Sequence, residues 1–187
     1  QLVSNDKGEG KRFGHRLQAN DNGDILAVSS VAPGNAGKVE IYIRTSQSND
    51  DSVQHSFTLA QTLYGVDTED STLNTNFGDG LAMSKDGTTL IITAPGHDDS
   101  SAADSGVVYY YKWNADGSTN TYTLQQTITA PDKTANVKFG SAVAINNDGK
   151  RIVIGAEGLA SSRIMKVDSG ETTFDLQDTS FTELNIG

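Results

Sequence analysis

The apolar positions of this chain fall into short runs that recur in a fixed order. In "GLAMS" (residues 80–84), Leu81 and Met83 share one face, the period of a half-buried strand. Asp86-Gly87 interrupts the run; an Asp-Gly pair supplies the positive φ of a tight turn, and the spacing predicts a two-residue hairpin. "TTLIITA" follows, apolar on both faces as a strand sandwiched between neighbouring sheets should be. Pro95-Gly96 stops it. "GVVYYYKW" is aromatic and β-branched and predicts a third strand. After Asp116-Gly117, "TYTLQQTIT" alternates as an outer fourth. No stretch has the pattern of an amphipathic helix of useful length, so the chain is predicted to be all-β.

The same order is written three times. Phe13-Gly14, Phe77-Gly78 and Phe139-Gly140 are 64 and 62 residues apart. Gly23, Gly87 and Gly149 follow at one fixed distance, each before an apolar run: "ILAV", "LIIT" and "IVIG". The outer strand recurs as "SFTLAQTLY" and, more weakly, as "TTFDLQDTS". Four antiparallel strands repeated about every sixty residues predict the blades of a β-propeller. The boundaries follow: 1–12 ends a preceding blade, 13–76 and 77–138 are two repeats, and 139–187 is a third, divergent and incomplete. The recurrent Phe is expected to pack between blades, and the Gly beside it to let backbones approach at a bend.

On these residues the chain resembles the FG-GAP repeat family, the propeller repeats also found in integrin α-chain heads, in a variant with short turns. The second repeat carries it best: Phe77-Gly78 is followed by Ala94-Pro95-Gly96 in the "GAP" position. The first has Ala32-Pro33-Gly34 slightly later, and the third has Ala156-Glu157-Gly158. The resemblance implies a ring of about seven blades, of which about three are present here. Without a gap, "QLVSNDKGEGKR" aligns with "TITAPDKTANVK", so that Leu2 falls on Ile128. The expectation is a slice of a longer propeller, entered in the outer strand of a preceding blade.

Many integrin-type repeats hold Ca²⁺ in a D-x-[DN]-x-D-G-x-x-D loop, where several oxygens must converge on one hard cation. The turns here, "ANDNGDI", "MSKDGTT" and "INNDGKR", are shorter and supply fewer carboxylates. Asn20, Asn22 and Asp24 are the weak candidates; the turns at Gly87 and Gly149 are expected to be metal-free, and no cofactor is expected. The loop "HDDSSAADSG" groups Asp98, Asp99 and Asp104 beside His97, and "VDTED" groups Asp67, Glu69 and Asp70. Both read first as solvated loops. His15, His55 and His97 lie in separate segments, with no H-E-x-x-H and no nucleophile elbow. The chain is therefore expected not to be an enzyme. Tyr109, Tyr110, Tyr111 and Trp113 read as core before a sugar-stacking platform.

Charge and composition narrow the partners. A formal net charge of −10 argues against binding of nucleic-acid backbones, which needs clustered Lys and Arg. No apolar run approaches a membrane span, so no membrane insertion is expected. Cysteine is absent, which removes thiolate metal sites and thiol nucleophiles. The expected function is a non-catalytic interaction or scaffold module for adhesion or assembly at an extracellular, cell-surface, filament or virion location. Its expected partner is another protein or further blades of the same polypeptide, with carbohydrate as a further ligand class. The alternatives are the propeller part of a secreted enzyme and a lectin-like carbohydrate-binding module.

Overall fold

A computed structural model describes residues 2, 4, 12–31, 36–45, 56–65, 75–100, 102–115, 120–130, 134–158 and 163–166. Among them every regular element is a strand. Sheet 1 consists of β1 (Phe13–Ala19), β2 (Ile25–Ser30), β3 (Lys38–Arg44) and β4 (Phe57–Leu63). Sheet 2 consists of β5 (Gly80–Met83), β6 (Thr89–Ala94), β7 (Val107–Ala115) and β8 (Asn120–Thr129). Sheet 3 shows β9 (Phe139–Ile145), β10 (Arg151–Ala156) and β11 (Arg163–Lys166) among the described residues. Each strand pairs antiparallel with its neighbour in sequence, so each sheet is a meander. The segments "VDTED" and "TTFDLQDTS", together with Ala32-Pro33-Gly34, His55 and Asp116-Gly117, lie outside the described residues.

The sheets stack face to face, and the stacking explains why β6 is apolar on both sides. Leu90, Ile92 and Ala94 join Tyr109 and Tyr111 of β7 in a core shared with Ile25, Ala27, Val39 and Ile41 of sheet 1. Ile91, with Val108 and Tyr110, points the other way and packs on Ile152 and Ile154 of sheet 3. Alternation along one strand thus feeds two cores. The aromatic run of β7 is consumed by this packing, and Trp113 stands edge-on to Tyr122 with ring centroids 4.8 Å apart.

The hairpins after the first strands are longer than the sequence predicts. The predicted two-residue turn at Asp86-Gly87 is a loop of residues 85–88, closed by the Ser84 N–H on the Thr89 carbonyl at 2.9 Å. The reason is a polar side chain at the closing position. Ser84 Oγ accepts the Thr89 N–H at 2.9 Å, and the Asn146 side-chain oxygen accepts those of Lys150 and Arg151 at 3.0 and 2.8 Å. Asn20 Oδ1 likewise accepts from Asp24 and Ile25 at 3.0 and 3.1 Å. Such side-chain capture offers the backbone a wider turn than a two-residue loop. Because Asn20 is buried and the Ile25 N–H depends on it, Asn20→Ala is expected to cost about 2 kcal/mol in urea denaturation. A loss within error of zero would show that the turn closes without it.

Candidate functional site

The joints between sheets gather the repeated residues. Ahead of each first strand the backbone turns left-handed on both sides of the Phe: φ is 54° at Asn76 and 92° at Gly78, and 50° at Lys138 and 94° at Gly140. This pair of reversals drives the Phe ring back into the preceding sheet. Phe77 and Phe139 are fully buried, and Phe77 meets Tyr109 edge-on at 5.2 Å. A Cβ on Gly78 would lie 2.9 Å from the Ser29 Cβ of the preceding sheet, and one on Gly140 equally close to that of Thr93. Phe13-Gly14 has the same backbone, but Phe13 is only half-buried, with its ring 6.4 Å from that of Tyr42.

A second glycine closes each joint, and the sequence reading missed it. Gly37 and Gly106 stand just before β3 and β7, where the preceding carbonyl takes the amide of the next Phe. The Phe77 N–H donates to Ala36 at 2.8 Å and the Phe139 N–H to Ser105 at 3.1 Å. A Cβ on Gly37 would meet the Phe77 carbonyl oxygen at 2.1 Å, and one on Gly106 the Phe139 oxygen at 2.2 Å. The available signal was a Gly in the same place before the third strands of sheets 1 and 2. Of the "GAP" residues, Ala94 ends β6 in the core, Pro95 is buried, and the Gly96 N–H reaches the Thr75 carbonyl at 3.2 Å.

Polar groups also bridge the sheets. The acidic loop is one clasp: Asp98 Oδ1 accepts the Asp104 N–H at 2.8 Å, while the carbonyls of Ala103 and Asp104 accept the amides of Asn136 and Lys138. On the first strands, His15 Nε2 lies 2.8 Å from Asp79 Oδ1, and Arg16 Nε donates to the Asp79 carbonyl at 2.9 Å. At the outer strands the Gln61 amide imitates a peptide group, donating to the Tyr122 carbonyl at 2.9 Å and accepting its N–H at 2.7 Å. The turns form a backbone ladder, with the Asp21 N–H on the Lys85 carbonyl at 2.8 Å and the Lys85 N–H on the Asn147 carbonyl at 3.0 Å. The accompanying Asp21–Lys85 ion pair is exposed and adds little.

The metal candidates serve the turn. Both oxygen-bearing groups of Asn20 and Asp24 are engaged within it, with Asn20 Nδ2 donating to Asp24 Oδ1 at 2.5 Å. Asn22 sits between them in the loop. Among the described residues no three His, Asp or Glu side chains come together as a metal shell. Calcium titration is expected to give no saturable signal that disappears on Asp86→Ala or Asp148→Ala; micromolar binding dependent on either residue would contradict this reading.

Asp86 has a different task. Burial by itself would raise its pKa, but hydrogen bonds from Ser84 Oγ and from the Thr88 N–H and hydroxyl, with the nearby Lys112, outweigh it and hold the carboxyl below the usual value of 3.8. A depressed carboxyl stabilises the fold above its unfolded pKa and loses that contribution as pH falls through the folded value. Asp86→Asn is therefore expected to flatten the stability–pH profile below about pH 4. An unchanged acid limb would contradict the assignment.

Residues 122–171 match the FG-GAP repeat family. The chain carries an FG-GAP repeat. The matched stretch runs from β8 through β9, β10 and β11, so it contains the joint between sheets 2 and 3 rather than a single sheet. Two solved structures share the fold over most of the chain. The β-propeller domain of Cps50 (Swd1) from Myceliophteria thermophila superposes with a TM-score of 0.52 at 14% identity, covering 82% of this chain and 40% of that one. A protein described as a 6-phosphogluconolactonase, from Bacteroides uniformis, gives 0.55 at 14% identity, covering 85% and 37%. The three sheets are β-propeller blades, and the chain spans about two fifths of the length of these structures. No curated protein sequence matches it.

Proposed function

We propose that the chain is part of a non-catalytic propeller that serves as an interaction or scaffold module in adhesion or assembly, outside the cell or on a cell or virion surface. The observation that carries this reading is the use to which the polar side chains are put. His15, Asp79, Asp98, Gln61 and Asn20 all hold backbone or neighbouring blades, which yields a rigid stack with its loops at the rims. Such a scaffold suits display of variable loops to a partner. The coverage of about two fifths of the matched propellers supports a ring of about seven blades, completed by further blades of the same polypeptide. No helix among the described residues is long and apolar enough to cross a membrane.

The test is membrane-impermeant labelling of intact producing cells or particles, together with an adhesion or assembly assay on a deletion mutant. The expected result is labelling of the full-length protein and loss of attachment or assembly. Protection from the label, or a deletion that leaves both processes intact, would overturn the proposal.

A further inference from the structure

The outward face of sheet 1 does not repeat the chemistry of the face that sheet 2 turns towards it. Strand register makes the comparison residue by residue: Ser30, Lys38, Glu40 and Tyr42 occupy the places of Ala94, Val107, Tyr109 and Tyr111. In sheet 2 these positions are apolar and meet Ala27, Val39, Ile41 and Leu63. In sheet 1 they form a buried polar group. The Glu40 side chain is 2% exposed and that of Lys38 12%, with Lys38 Nζ 3.0 Å from Glu40 Oε1. Ser4 Oγ donates to the same oxygen at 3.3 Å, and the Tyr42 hydroxyl donates to Oε2 at 3.4 Å. Ser30 Oγ, in a residue 5% exposed, has no hydrogen-bond partner among the described residues.

Three observations say what belongs on this face. Leu17 is 62% exposed, whereas Leu81, its counterpart in the joint between sheets 1 and 2, is 6% exposed. Among the described residues the ladder of turn residues runs from Asn147 through Lys85 to Asp21, its last member on this side, so a further blade here would continue an interface already built twice. Ser4 lies against this face, on Glu40, so a residue from ahead of β1 in sequence already packs here. A second copy fits poorly. On the outward side of sheet 3 the register pairs Ala142 with Gly155 and Ala144 with Val153, and none of these four offers a hydrogen-bonding side chain.

We propose that the outward face of sheet 1 is a keyed joint. It receives a preceding blade of the same polypeptide, and the Ser30–Lys38–Glu40 group selects one that brings a hydrogen-bonding side chain to Ser30 in place of the aliphatic surface used at the other two joints. The physical logic is specificity: a buried ion pair adds little net stability, but leaving it unmatched is costly, so it discriminates between partners. The ordering of blades then has a chemical marker at this seam. The inference rests on the ring reading above.

Hydrogen exchange on the full-length protein tests it. The variant Ser30→Ala/Lys38→Val/Glu40→Tyr installs the residues of sheet 2. It is expected to speed exchange in β1, β2 and β3 by roughly tenfold or more while β6 and β7 are unchanged. Unchanged protection of sheet 1 would overturn the proposal. If the triple variant does not fold, Glu40→Gln, which keeps the volume and removes the charge, is read in the same way. Leu17→Asp separates the two ideas. If it also leaves β1 protected, no blade covers the face and the ring reading falls as well. If it exposes β1 while the polar variants do not, a blade docks without a key, and only the present proposal falls.

Discussion

Gly106→Ala is expected to destabilise the protein by at least about 3 kcal/mol. Gly106 has φ of 78°, which an L-residue adopts only at a cost, and its Cβ would sit 2.2 Å from the Phe139 carbonyl oxygen and 2.5 Å from its amide nitrogen. Those atoms are main chain and cannot swing away. Relief would require sheet 3 to withdraw from sheet 2, breaking the Phe139 N–H bond to Ser105 and opening the apolar joint around Phe139. Gly14 provides the control. Its φ is 87°, but nothing lies within 4 Å of its Cβ position. In residues 1–187 without a preceding blade, Gly14→Ala should therefore cost only the backbone strain, about 1–2 kcal/mol. Equal losses for the two variants in urea denaturation would show that close approach at the joint contributes nothing.

Phe77→Ala should cost about 3–5 kcal/mol and Phe13→Ala distinctly less, about 1–2 kcal/mol. The two side chains occupy the same place in the repeat and differ only in cover. Phe77 is walled by sheet 1 and by Tyr109, and truncation would leave a cavity that rigid strands on both sides cannot collapse into. Phe13 has solvent on part of its surface. Thermal and urea unfolding of both variants in this chain reads the difference directly. A larger loss for Phe13 would mean that the first face is already as well covered as the second.

The architecture was legible because it rests on local pattern. The Phe-Gly pairs, the alternation of "GLAMS", the two-sided apolarity of "TTLIITA" and the aromatic run of β7 each depend on neighbours close in sequence. What escaped depends on partners far along the chain. Nothing in the residues beside Gly37 or Gly106 announces a Phe backbone arriving from the next sheet. Gln61 looks like any polar residue of an outer strand until Tyr122 is placed opposite it. The turn was misjudged for a related reason: Asp86-Gly87 has the chemistry of a two-residue hairpin, but Ser84 and Thr89 bond across it and set a longer loop. The polar group around Glu40 was equally silent, because Lys38-x-Glu40-x-Tyr42 alternates as any half-exposed strand would.

The most direct test of the stacked-blade account uses the absence of cysteine from the chain as a clean background. Asp21 and Lys85 are joined turn to turn, through the Asp21 N–H on the Lys85 carbonyl and by side chains 3.3 Å apart. The double variant Asp21→Cys/Lys85→Cys is therefore expected to form an intramolecular disulfide readily on mild oxidation, as is Lys85→Cys/Asn147→Cys. Asp21→Cys/Asn147→Cys, which skips a sheet, should not. Mass spectrometry of the non-reduced protein reads all three. Bridges at the first two pairs and none at the third are what the account predicts; failure of both consecutive pairs, or equal bridging of the third, would contradict it.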